Sequence, residues 1–398
     1  MDLLDVGRVI AGLVLLTLGG EVLVRGASSL ARRAGISALV VGLTVVSGAT
    51  SAPELAVTIG SVMGGEPELA VGNVVGSNIA NVLLILGVSA LVIPLAVKRR
   101  LVRIDLPIMV AVSVLLLVMA LDGGIGRLDG VVLLGVLVAY TVVTIVVSRR
   151  EAAEERALAA GRAAGAAAGA GEAGGEDEEP PASVVKSLLF VVTGVGLLVL
   201  GARLLVDGAV NVAAAFGVSS LVIGLTVVAI GTSLPELAVS VIAVRRGERD
   251  LAVGNVVGSN ILNISLVLGL PSVISAGGIP VPSAAVALDI PLMLAAAVAL
   301  LPIAFTGFLI VRWEGGLFLA LYISYTVFVV LAATEHDALA GFTTVMVQFV
   351  LPLIAVTLAL FSAYEVRMRG RQRTERGLRR AGEAGGDEAP PGQGPGGS

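Results

Sequence analysis

The eleven residues LAVGNVVGSNI occupy positions 69–79, and the same eleven letters recur at 251–261. The match extends without a gap over 42–87 and 224–269, where 30 of 46 positions are identical. Weaker echoes follow. Asp105 and Pro107 recur as Asp289 and Pro291, and Arg127, Gly130 and Tyr140 recur as Arg312, Gly315 and Tyr325. A chain that repeats itself in this way folds as two like halves. The medium of those halves follows from composition. The chain is 56% hydrophobic and 14% charged, with a mean hydropathy of +0.99, whereas a soluble domain is roughly one-quarter charged. In lipid the backbone must bond to itself, so the expected fold is an all-α polytopic membrane bundle.

Apolar runs of span length lie near 7–24, 35–63, 69–95, 104–121, 128–147, 184–206, 217–243, 251–276, 284–307, 315–333 and 343–365. The first lacks a basic leader and a cleavage site, so it is read as a span rather than a removed signal. Basic residues orient the bundle. Arg25, Arg32 and Arg33 follow span one, Lys98, Arg99, Arg100 and Arg103 follow span three, and Arg149 and Arg150 follow span five. Arg245, Arg246 and Arg249 follow span seven, Arg312 follows span nine, and Arg367, Arg369, Arg371 and Arg373 follow span eleven. Odd spans therefore end inside, with Arg127 the main exception, and the N-terminus lies outside. Each half holds five spans. Five is odd, so the second copy enters the membrane the other way up, the inverted repeat of secondary transporters. The expected organisation is 1–148 first repeat, 149–183 low-complexity cytoplasmic linker, 184–335 second repeat, 336–366 extra membrane helix, and 367–398 basic then disordered cytoplasmic tail.

Two polar segments per half break the hydrophobic pattern. SGATSAPEL (47–55) is echoed by AIGTSLPEL (229–237). Pro53 and Pro235 lack an amide hydrogen and crowd the preceding turn, so each is expected to kink its helix and free carbonyls near Ser47–Thr50 and Ala229–Thr232. Thr50, Ser51, Thr232 and Ser233 add hydroxyls, and Glu54 and Glu236 add carboxylates. A carboxylate inside the membrane costs at least about 2.5 kcal/mol, which makes a functional role the default reading. GNVVGSNIAN (72–81) is echoed by GNVVGSNILN (254–263). Asn73, Ser77 and Asn81 share one helical face, as do Asn255, Ser259 and Asn263. Gly72 and Gly76 allow close helix approach. Packing and inter-helix hydrogen bonds account for the glycines and for Asn73, Asn78, Asn255 and Asn260; Ser77, Asn81, Ser259 and Asn263 are read as ligands. All these donors are hard oxygens, which suit Ca²⁺ or Na⁺ and not Zn²⁺ or Cu²⁺. Two carboxylates neutralise one Ca²⁺ or two Na⁺, and mutually exclusive occupancy of one such site is a physical basis for exchange.

At these residues the chain resembles the calcium/cation antiporter superfamily, in its prokaryotic sodium/calcium exchanger branch. The GTSLPE phrase, its variant GATSAPE, and the paired GNVVGSN phrases look like the two alpha repeats of that family, and the resemblance covers essentially all of 1–335. It implies Ca²⁺/Na⁺ antiport by alternating access, with spans one and six sliding past a core of the other helices. It also implies that Glu54 and Glu236 share the Ca²⁺ and that Thr50 and Thr232 add backbone carbonyls. Ser51, Ser77, Ser233 and Ser259, with the carbonyls of Ser47 and Ala229, would serve flanking Na⁺ sites. Asn81 and Asn263 would line the centre. Some relatives carry Asp in place of Asn263; Asn at both places removes one possible negative charge. Ca²⁺/H⁺ exchange and a K⁺ requirement remain alternatives, and a passive channel is a third.

Other functions are set aside on residues. An intramembrane hydrolase needs a Ser/His pair or two aspartates in the membrane, and the sole histidine, His336, sits in the polar TEHDA loop; the protein is not expected to be an enzyme. The absence of cysteine excludes thiolate metal sites, no cofactor beyond the transported ions is expected, and a net charge of -4 carries no nucleic-acid signature. One chain already holds both half-sites, so an oligomer is not required for function. Asp105 and Asp289 are read as interfacial caps, and Glu21, Arg25, Arg203 and Asp207 as interface residues that influence gating. The expected location is a prokaryotic cell membrane, with the basic run 367–380 touching anionic lipid.

Overall fold

The computed structural model describes residues 3–167, 183–223, 226–227, 229–305 and 307–356. In the first half α1 (Leu3–Ala34) leads into the pair α2 (Ala38–Thr50) and α3 (Ala52–Met63), then α4 (Pro67–Val92), α5 (Leu101–Ala120) and α6 (Arg127–Ala167). The second half has α7 (Val184–Ala215), the short α8 (Ser220–Ile223) and α9 (Ala229–Gly231), then α10 (Leu234–Arg245). It continues with α11 (Arg249–Ile274), α12 (Ala285–Phe305) and α13 (Arg312–Ala333), and α14 (Ala338–Val356) follows. At 1.5 Å per residue, helices of 20 residues or more cross the hydrocarbon layer. Among the described residues nine helices are long and apolar enough to do so, and α2 with α3, bent by 41°, makes a tenth. Proline stands in the first turn of both α3 and α10, so the breaks fall where the missing amides were expected to put them.

The bundle is not purely helical. Four two-residue strands cap it: β1 (Leu95–Ala96), β2 (Gly124–Ile125), β3 (Ile279–Pro280) and β4 (Leu309–Ile310). β1 pairs with β4 and β2 with β3, both antiparallel. Each pair joins one half to the other, at matching positions in the repeat. Paired strands must lie on the same side of the membrane, so an even number of crossings separates them. Between β2 and β3 lie α6, α7, α11 and the pieces α8–α10. The segment expected at 217–243 therefore has to cross, which completes two five-span units of opposite orientation.

α6 continues to Ala167, so the Ala/Glu-rich first half of the 149–183 linker is helical, as its composition allowed. Residues 168–182 and 357–398, with the basic run 367–380, lie outside the described residues. α14 starts at Ala338, earlier than 343, and the end of that span also falls outside them.

Two contacts position everything else. α1 and α7 run antiparallel along their length. Gly12, Gly19 and Gly26 on α1 and Gly194, Gly201 and Gly208 on α7 recur every seven residues. A Cβ at Gly12 would stand 2.6 Å from the Leu205 amide nitrogen, and one at Gly194 2.7 Å from that of Leu23. Only glycine permits backbones this close. α4 and α11, which carry the repeated phrase, are the most enclosed spans. Each widens into a π turn after its serine, at Ala80–Ile85 and Asn263–Leu268. Such turns re-aim side chains at functional positions.

Candidate ion site

α4 enters from the face opposite the basic loops and α11 from the basic face. Asn81 lies about 21 Å along the 26-residue α4, near its middle. Asn263 is its counterpart on α11. Ser77 precedes Asn81 by four residues and Ser259 precedes Asn263 by four, so the two serines lie about 6 Å to either side of the amides, towards opposite faces. The broken helices bring Thr50 and Glu54 of one half beside Glu236 of the other, and Ser233 beside Ser77. α3 packs against the Asn263–Leu268 turn and α10 against the Ala80–Ile85 turn.

Ser47, Thr50, Ser51, Glu54, Ser77, Asn81, Ser233, Glu236, Ser259 and Asn263 are all buried, none more than 3% exposed. Thr232 is half-buried. The backbone of Ala229 belongs to α9. The Glu54 and Glu236 carboxylates lie close enough to repel, and Thr50 stands beside Glu236. All four carboxylate oxygens lack a hydrogen-bond partner in the protein, as do the Ser51 and Ser259 hydroxyls and the Oδ1 atoms of Asn81 and Asn263. The Ser77 and Ser233 hydroxyls meet across the halves at 3.5 Å. Eight unpartnered buried oxygens are therefore supplied by the very residues that the sequence singled out. Arg100 is the one buried Lys or Arg among the described residues, and it is paired with Asp105 and Glu151. Two carboxylates with neither donors nor a counter-charge are costly unless a cation occupies the space between them.

Some expectations change. The Ser47 carbonyl accepts the Ser51 amide at 2.9 Å and the Thr50 hydroxyl at 3.4 Å, so it is engaged within its own segment rather than freed by the break. In the second half the Ser233 amide donates to the Ile230 carbonyl at 3.0 Å and not to that of Ala229. Asp105 is no interfacial cap: it is fully buried, accepts from Tyr140 at 3.3 Å and lies 3.8 Å from Arg100. Asp289 repeats the tyrosine bond, with Tyr325 at 3.3 Å. Arg100, read as a loop charge, is 7% exposed because that aspartate and the Thr144 carbonyl draw it in. Glu21 does link α1 to the core, through Arg246, and it also approaches Arg25. Arg203 and Asp207 are exposed, as is His336.

The asparagines assigned to packing have partners of two kinds. Asn73 donates to Thr58 at 3.1 Å and Asn255 to Ser240 at 3.2 Å, the same bond in each half. Asn255 also accepts from Thr50 at 3.2 Å. Asn78 and Asn260 instead bond to the central amides: Asn263 donates to Asn78 at 3.1 Å and Asn81 to Asn260 at 3.2 Å. Their recurrence within the repeated phrase was the available signal.

The halves are alike but not identically packed. At the basic face α11 is sealed against α2, with Gly254 against the Leu39 carbonyl and Gly258 against that of Leu43. At the opposite face the matching Gly72 is exposed, and among the described residues nothing lies within 4 Å of a Cβ position at Gly72 or Gly76.

Two inverted five-span repeats around a buried cluster of oxygen donors define a secondary cation transporter. The sodium/calcium exchanger protein family matches this chain over residues 5–146 and 186–331, and the chain belongs to that family. It is 36% identical over 339 residues to the sodium/calcium exchanger MaX1 of Methanosarcina acetivorans, covering 79% of this chain and 95% of that one. It is 39% identical over 279 residues to the inner membrane protein YrbG of Escherichia coli K12, covering 70% and 82%. Among solved structures, the sodium-calcium exchanger NCX_Mj superposes with a TM-score of 0.66 at 32% identity, over 81% of this chain and 98% of that one. Family membership supports cation antiport that includes Ca²⁺.

Proposed function

We propose that this protein is a secondary active antiporter, not an enzyme, that exchanges Ca²⁺ for Na⁺ by alternating access. The observation that carries the reading is the Glu54–Glu236 pair, whose four oxygens are buried without partners beside neutral hydroxyl and amide oxygens. Ca²⁺ takes six to eight oxygens and is neutralised by two carboxylates. It sits between Glu54 and Glu236, with the carbonyls of Thr50 and Thr232 completing its shell and Asn81 and Asn263 lining the centre. Na⁺ occupies the flanks, Ser77 and Ser233 on one side and Ser51 and Ser259 on the other, with the Ser47 and Ala229 carbonyls. Filling the flanks places positive charge beside the carboxylates and expels Ca²⁺; Ca²⁺ binding reverses this. With no third carboxylate at position 81 or 263, binding is charge-balanced but not permanent, which suits a carrier.

Alternating access is favoured by the unequal packing of the halves: the Gly72–Gly76 side is open while Gly254–Gly258 is closed. By the distribution of Lys and Arg the closed face is cytoplasmic, so this conformation faces outward, in a prokaryotic cell membrane with the N-terminus outside. The α1–α7 pair is the sliding element. The test is ⁴⁵Ca²⁺ uptake into proteoliposomes with an outward Na⁺ gradient or an outward H⁺ gradient. Uptake driven by Na⁺ is expected. Uptake driven by H⁺ alone would keep the site and reassign the coupling ion, and uptake indifferent to either gradient would make the protein a passive channel.

A further inference from the structure

Each of the four central amides has one end that donates and one that accepts, and their surroundings dictate which is which. The end of Asn78 facing away from Asn263 lies 3.2 Å from the backbone carbonyl of Asn260 and 3.5 Å from the sulfur of Met293. Both neighbours can only accept, so that end is Nδ2. The other end is therefore Oδ1, and Asn263 can meet it only with its own Nδ2, at 3.1 Å. In the other half Asn260 turns Nδ2 to the sulfur of Met109 at 3.4 Å and Oδ1 to Nδ2 of Asn81 at 3.2 Å. The outcome is the same on both sides. Asn81 and Asn263 have their nitrogens engaged and their Oδ1 atoms buried and unpartnered.

We propose that Asn78 and Asn260 are positioning residues that hold the central amides with the carbonyl oxygen, and not the amide hydrogens, towards the ions. Each half orients the ligand of the other, since Asn78 sets Asn263 and Asn260 sets Asn81. A turned amide would present hydrogens to a cation and would also bring two oxygens together at Asn78 or Asn260. The thioethers of Met109 and Met293, both almost fully buried, supply weak acceptors that fill the remaining space without offering a charge. This inference rests on the ion-site reading above.

The test is the KM and maximal rate of ⁴⁵Ca²⁺ uptake in proteoliposomes. Asn78→Leu removes the acceptor and frees the Asn263 amide to turn, so the Ca²⁺ KM is expected to rise about tenfold or more, the scale of a hydrogen-bond-sized interaction with an ion. In an Asn263→Asp background both ends of residue 263 are oxygens, so Asn78→Leu should add little further change in KM. An equal rise in both backgrounds would assign Asn78 to packing and overturn the proposal. Where Asn78→Leu is not recovered folded, Asn78→Ser reads the same way, because its hydroxyl is too short to reach the amide. Wild-type uptake that Glu54→Gln abolishes, alongside an unchanged KM in Asn78→Leu, sinks the orientation alone. Wild-type protein without Ca²⁺ uptake under any gradient sinks the ion site and the orientation with it.

Discussion

Glu54 and Glu236 owe their importance to what surrounds them. No basic side chain is paired with either among the described residues, and on the proposed reading a bound cation is the partner that compensates both. Glu54→Gln and Glu236→Gln are therefore expected to abolish Ca²⁺ transport while the protein folds at least as well without ions. Thermal unfolding of the detergent-solubilised protein measures this. Ca²⁺ at 100 times its Kd stabilises a folded binder by about 2.7 kcal/mol, and that gain should vanish in either variant. A glutamine variant that keeps the Ca²⁺-dependent shift would remove the carboxylates from the site. Asn263 belongs to the same scale. Asn263→Asp adds a titratable group beside the two glutamates, so the pH profile of uptake should change. An identical profile would place residue 263 away from the ions.

Among the elements, the same glycine has opposite consequences in the two halves. A Cβ at Gly254 would stand 2.6 Å from the Leu39 carbonyl, while one at Gly72 meets nothing within 4 Å among the described residues. Gly254→Ala is thus expected to pry α11 from α2 and destabilise this conformation by about 1–3 kcal/mol, the scale of overpacking. Gly72→Ala should be accommodated here and should hinder only the conformation in which this side closes. Reagent accessibility of a cysteine placed at position 76 or 258 distinguishes them; equal accessibility in the two variants would contradict the asymmetry. α1 and α7 are joined along three glycine contacts on each helix. Gly19→Leu, whose Cβ would lie 2.8 Å from the Leu198 amide nitrogen, should split the pair and slow exchange more than it weakens Ca²⁺ binding. A purely affinity-based loss would argue against a sliding pair.

At the scale of the whole molecule, the pairings β1–β4 and β2–β3 fix which loops share a face, and the basic residues then predict which face is inside. The chain contains no cysteine, so single cysteines report topology without background. A cysteine in the 122–126 turn is expected to react with an impermeant reagent from outside intact cells, and one at position 98 only after permeabilisation. The reverse pattern would invert the orientation. α14 lies beyond the family match, which ends at residue 331, and none of its described residues is buried. Ending the chain after Ala333 should leave Ca²⁺ uptake intact, since both repeats are complete without it.

The halves, their inversion and the polar residues that gather inside the bundle were legible in the sequence because lipid permits so few choices. Spans must be apolar and backbone-satisfied, so Glu54 or Asn263 inside one stands out, and a repeat of odd span number can only return inverted. Other features belong to contacts between distant segments and had no local signature. Arg100 reads as a loop charge until Asp105 and the Thr144 carbonyl draw it inward. Asn78 and Asn260 read as packing until their acceptors, contributed by the opposite half and by α5 and α12, decide which way each amide points. The same phrase gives one sealed side and one open one, because a sequence repeated letter for letter cannot say which copy is closed. Composition and periodicity determine which atoms are available in the membrane; only tertiary packing determines which are satisfied by the protein and which are left for an ion.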